Sequence, residues 1–140
     1  MRRIIVGVDG SAASRAALAW AVHDARANEA EIRVLHVWDQ PYVGTGAFAQ
    51  MLADPEELEV YAQRELDYTV DNVDTTGLRT PLERVLRCGR PAEWLLREAK
   101  TADLVVMGRK GLGGVQLGSV GHRVTLHATC PVVVVPADRS

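Results

Sequence analysis

The 140-residue chain carries 16 basic and 18 acidic side chains, a net charge of −2 and 47% apolar residues. With only three Trp, three Tyr and one Phe, it has neither the basic surface nor the stacking platform that nucleic-acid binding requires, and no cationic face for a membrane surface. No apolar run approaches the roughly 18 residues of a membrane span, and Met1-Arg2-Arg3 leads directly into a strand pattern rather than a signal peptide.

One domain over residues 1–140 in a cytoplasmic protein is therefore the expectation. Cys88 and Cys130 lack C-x-x-C spacing and are expected as reduced thiols. Ile4 to Val8 is a continuous apolar run, as expected of a strand covered on both faces. Asp9-Gly10-Ser11 supplies turn chemistry and an N-cap for an alanine-rich helix over 12–28, with Ala17, Leu18, Ala21, Val22 and Ala25 on its apolar face. Ile32 to Trp38 reads as the second strand, and 39–53 as a long loop. Asp54-Pro55 opens a helix to about Thr76, with Leu58, Tyr61, Ala62, Leu66, Thr69, Val70 and Val73 inward and Gly77 as its C′ residue.

Leu82 to Cys88 alternates like a strand near a sheet edge. Pro91 then starts a helix that buries Ala92, Leu95, Leu96 and Ala99. Asp103 to Met107 is the fourth strand, Ser119 to Ala128 the fourth helix and Val132 to Val135 the fifth strand. This alternation predicts a single-domain, doubly wound, five-stranded parallel α/β sheet with helices on both faces. Ligands of such sheets bind beyond the carboxyl ends of the strands, at the topological switch point. Asp9 and Gly108 end strands one and four, and are expected as neighbours there.

The segment Gly108-Arg-Lys-Gly111-Leu-Gly-Gly-Val-Gln-Leu-Gly118-Ser119 joins the fourth strand to the fourth helix. Glycines let a backbone approach an anion, and a helix start presents unpaired N–H groups at the positive end of its dipole. The spacing is not a P-loop, because no Gly-Lys-Ser/Thr occurs. Nor is it G-x-G-x-x-G, because Gly111-x-Gly113 is followed by Gln116.

With the rest of the chain, this arrangement resembles the universal stress protein family. The segments that carry the likeness are Ile4 to Ser11, Gly89-Arg-Pro-Ala-Glu93, Ala102 to Gly108, Leu117-Gly-Ser-Val120 and His127 to Val135, in the family's order. The resemblance implies a Rossmann-like fold of the adenine-nucleotide-binding type and a homodimer formed through the last strand, Val132–Val135. ATP-binding members carry G-x2-G-x9-G-(S/T), and here Gly108, Gly111, Gly118 and Ser119 match. Only the six residues 112–117 separate the second and third glycines, three fewer than the pattern has. The resemblance also places Asp9 facing adenosine and the Val37 backbone at the adenine edge.

The candidate nucleotide-binding residues are Val8, Asp9, Val37, Met107, Gly108, Arg109, Lys110, Gly111, Gly118, Ser119 and Val120. The expected ligand is ATP, with or without Mg²⁺. Each candidate also has a plain structural role: Asp9 complements a helix dipole, Gly108 and Gly111 form a turn, Ser119 caps a helix, and Arg109 and Lys110 are solvated cations. His36 and His127 show no metal-ligand spacing, and His127 is expected half-buried on the Val120–Val124 face. No catalytic triad is spaced in the chain, so the expectation is a regulatory protein rather than an enzyme. Two alternatives stay open: a member that binds no ATP and serves as a dimeric interaction module, and an enzyme working through an adenylated intermediate.

Overall fold

The computed structural model describes residues 1–39, 54–109 and 118–137. In chain order the elements are β1 (Arg2–Val8), α1 (Ala12–Asn28), β2 (Ala30–Trp38), α2 (Pro55–Asp71), β3 (Glu83–Cys88), α3 (Pro91–Ala99), β4 (Leu104–Gly108), α4 (Ser119–His127) and β5 (Val132–Val135). The strands form one five-stranded parallel sheet in the order β3-β2-β1-β4-β5. The chain builds outward from β1 through β2 to β3, then returns to the other side of β1 for β4 and β5. That reversal places the topological switch point between β1 and β4.

Side-chain alternation along the strands divides the core in two. Ile4, Val6 and Val8 of β1 pack with Ile32, Val34, Leu104 and Val106 under α1 and α2. Ile5, Leu35, Val85, Val105 and Met107 pack under α3 and α4, against Leu95 and Val124. Both faces are therefore covered, which is why the central strands read as unbroken apolar runs.

Four local expectations are corrected. Helix α2 ends at Asp71 rather than near Thr76. The Asn72 N–H makes the last ladder bond to the Tyr68 carbonyl, which Asn72 Nδ2 also engages, and Asp74 Oδ1 then accepts the Thr76 N–H, so local side-chain bonds take over where the helix stops. Gly77, at φ +88, lies in the turn before β3 and does not cap the helix. The buried stripe of α2 is Ala62, Leu66, Thr69 and Val70. Tyr61 sits about 100° around the helix from Ala62 and is exposed. His127, the last residue of α4, is also exposed, because the buried stripe of that helix stops at Val124. The predicted loop over 39–53 lies, beyond Asp39, outside the described residues.

Candidate functional site

β1 pairs with β4 through Gly7↔Met107, which sets Asp9 and Gly108 side by side past the strand ends. Above this junction opens a cleft of about 690 Å³, a size typical of small-molecule sites. Its apolar walls include Val8, Leu35, Val37, Leu95, Met107 and Val120. Val37 is the first β2 residue without a partner on β1, whose pairing stops at Val8↔His36. Asp9, Gly108, Arg109, Gly118 and Ser119 line the same cleft, so it gathers every described candidate from the sequence. Lys110 and Gly111 lie outside the described residues.

The start of α1 forms a wall that residue patterns had marked only as a cap. Ser11, the N-cap, accepts the Ser14 N–H on its hydroxyl at 3.2 Å. Ser14 Oγ donates to Asp9 Oδ1 at 2.7 Å and accepts the Asp9 N–H at 2.8 Å, while the Ser11 N–H donates to Asp9 Oδ1 at 3.0 Å. Burial pushes the Asp9 carboxyl up. Hydrogen bonds from Ser11 and Ser14 and the nearby His36 charge outweigh that, holding it below its ordinary 3.8. Asp9 is thus an ionised, oriented acceptor at the rim. Ser14 was missed because a serine three residues into a helix reads as ordinary helix surface, whereas here it is buried.

The glycine segment divides its roles. A Cβ on Gly108 would lie 2.6 Å from the Ala13 carbonyl carbon and 2.7 Å from Ala13 Cβ and O. The absence of a side chain there lets the first turn of α1 cross β4, a packing role distinct from the turn suggested by the sequence. The Arg109 N–H donates to the Val135 carbonyl at 2.8 Å, which extends the β4–β5 ladder at a residue that also lines the cleft.

Gly118 is the N-cap of α4, with φ −67 and ψ 169 and no side-chain cap, so Ser119 is the first helical residue rather than the cap. Gly118 therefore offers the first-turn N–H groups of α4 no side-chain cap. Two helix N-termini, those of α1 and α4, meet at one cleft whose described lining holds one carboxylate, Asp9, and one guanidinium, Arg109. That combination favours an anionic ligand with an apolar body. Among the described residues no cluster of His, Cys, Asp and Glu could hold a metal ion, and no helix is long and apolar enough to cross a membrane.

A doubly wound five-stranded parallel sheet with a cleft at its switch point defines a Rossmann-like α/β protein. The universal stress protein family model matches residues 1–136, and the chain belongs to that family. It is 32% identical to universal stress protein YxiE of Bacillus subtilis, with 95% of this chain and 97% of that protein covered. Mycobacterial relatives match at 30–35% identity, and the chain spans about half of their length. Among solved structures, a universal stress protein in complex with cAMP superposes with a TM-score of 0.72 at 26% identity, covering 98% of each chain. An Arabidopsis thaliana family protein with AMP bound shares the fold at a TM-score of 0.67 and 22% identity, covering 99% of this chain and 93% of its own.

Proposed function

We propose that this chain is a nucleotide-binding regulatory protein that takes ATP, with or without Mg²⁺, in the cleft between β1 and β4. The observation that carries the reading is the meeting of the α1 and α4 N-termini at that cleft, where the α4 N-cap is Gly118, which has no side chain to cap it. The adenine ring lies against Leu35, Val37 and Met107 with its edge toward the Val37 backbone, and Asp9 faces the ribose. The phosphates meet the N–H groups of Ser119 and Val120 and the Arg109 guanidinium, while Lys110 and Gly111 enter by resemblance to the family pattern. The complexes of relatives with cAMP and AMP support an adenine nucleotide as the ligand class. The protein acts as a homodimer joined through β5, an edge strand of half-buried valines that invites pairing.

Thermal unfolding with Mg-ATP, AMP and GTP tests the reading. A ligand at about 100-fold over its Kd adds about 2.7 kcal/mol, which raises Tm by several degrees for a domain of this size. A rise with ATP and little with GTP is expected. One observation favours a second reading: the 112–117 gap is three residues shorter than the ATP-binding pattern. No shift with any nucleotide would leave the dimeric interaction module as the working account.

A further inference from the structure

His36 lies one residue before Val37 on β2 and is 5% exposed, yet its ring is held by polar contacts. Nδ1 lies 2.9 Å from the Val8 carbonyl oxygen, and Nε2 lies 3.3 Å from Glu65 Oε2 on α2. A carbonyl oxygen only accepts, so Nδ1 carries a proton. An ionised carboxylate also only accepts, so Nε2 suits its neighbour only when it carries one too. The imidazolium is the form of the ring that satisfies both contacts.

Glu65 reaches further. A Cβ built on Gly10 would lie 3.0 Å from Glu65 Oε2, and Gly10 holds φ +84, a conformation suited to glycine. The His36 ring therefore links the end of β1 to α2, and places the Glu65 carboxylate beside the turn bearing Asp9. Among the described residues, the charged groups near it are Glu65 from α2, Asp9 from the turn, and Arg15 of α1, whose Nη1 donates to the Gly10 carbonyl at 3.4 Å. On β3 the residue opposite His36 is Leu86, which carries no charge.

We infer that His36 is a proton-dependent positioning residue for the cleft, clamping the Val8 carbonyl at the end of β1 to Glu65 of α2, beside the Gly10 turn, so that Asp9 and Val37 are set for an adenine nucleotide. The inference rests on the nucleotide reading above. When Nε2 loses its proton, its lone pair faces the Glu65 carboxylate, the contact opens, and that wall of the cleft loosens. Imidazole is the side chain that changes charge between pH 5 and 8. The clamp is closed on the acid side of that range, and nucleotide affinity falls as pH rises.

The test is calorimetric titration of Mg-ATP into the full chain and into His36→Gln and Glu65→Gln, between about pH 5.5 and 8. Protonation of the nucleotide itself is common to all three proteins, so the ratio of wild type to variant isolates the clamp. That ratio is expected to fall roughly five-fold or more from the acid to the basic end, within the usual range of site-to-site coupling. Both variants should share one flatter profile. Glu65 is half exposed, so Glu65→Gln stays informative even if the buried substitution fails to fold. Binding with the same pH profile in wild type and Glu65→Gln overturns the clamp. Absence of binding by wild type at every pH removes the nucleotide reading and its coupling instead. The ¹⁵N spectrum of the ligand-free His36 ring then decides the clamp alone: a bare Nε2 at the acid end refutes it.

Discussion

Gly108→Ala is the sharpest test of how this fold builds its cleft. A Cβ at 108 would stand 2.6 Å from the Ala13 carbonyl carbon and 2.7 Å from Ala13 Cβ and O. Carbon–carbon contacts relax to about 3.5–4.0 Å, so the substitution demands a displacement of roughly 1 Å. The obstacle is helix backbone, which cannot rotate aside, and α1 also carries Ala17, Leu18 and Ala21, all wholly buried. Overpacking usually costs about 1–3 kcal/mol, and the upper half of that range is expected here. For a domain of this size that means a Tm lower by roughly 6–12 °C. Gly7→Ala is the internal control: its Cβ would meet Leu95 methyls at 2.9 and 3.1 Å, the far end of a side chain that can turn away. Its cost should stay under about 1.5 kcal/mol. Urea unfolding without nucleotide reads both variants at constant m-value. A Gly108→Ala protein within about 0.5 kcal/mol of wild type, or one less damaged than Gly7→Ala, would refute the crossing of α1 over β4 as the reason for that glycine.

Ser14→Ala leaves the Asp9 N–H without its acceptor and Asp9 Oδ1 with the Ser11 N–H as its one remaining donor among the described residues, at a cost of about 1–3 kcal/mol near neutral pH. Because the folded Asp9 carboxyl is held below 3.8, its share of stability is present above that value and fades as pH falls through the lower folded one. The gap between Ser14→Ala and wild type should therefore narrow toward about pH 2, and the Asp9 ¹³C titration should move up in the variant; a gap that widens in acid contradicts this. Ser119→Glu puts a carboxylate at the exposed first position of α4, where the helix dipole favours it by about 0.3–1 kcal/mol. The same charge repels phosphates, so Mg-ATP affinity should drop at least about ten-fold while Tm holds or rises. Undiminished affinity in a folded variant would remove the α4 start from the site.

The strands were legible because burial on both faces leaves a mark on each residue separately: Ile4, Ile5 and Val6 are all apolar because all are enclosed. The neighbourhood of Asp9 and Gly108 was legible through topology, since a chain that winds outward and then returns must bring its first and fourth strands together. Roles that depend on a pair were not. His36 reads as one more enclosed residue in an apolar run, and neither the Val8 carbonyl nor Glu65 announces itself as its partner. The end of α2 escaped for a similar reason, since Asn72 competes with the helix only once its side chain finds the Tyr68 carbonyl.

Gly108 shows why weighing packing against function at one residue can mislead. Its spacing to Gly111, Gly118 and Ser119 suggested a backbone open to phosphate, and its contacts show a backbone open to Ala13. These are one requirement: only by admitting α1 against β4 does the sheet bring the α1 N-terminus to the rim already occupied by α4. A larger residue at 108 would then damage the fold and the anion-favouring field of the cleft together. Loss of both in Gly108→Ala, against loss of affinity alone in Ser119→Glu, separates the residue that builds the site from the one that faces its ligand.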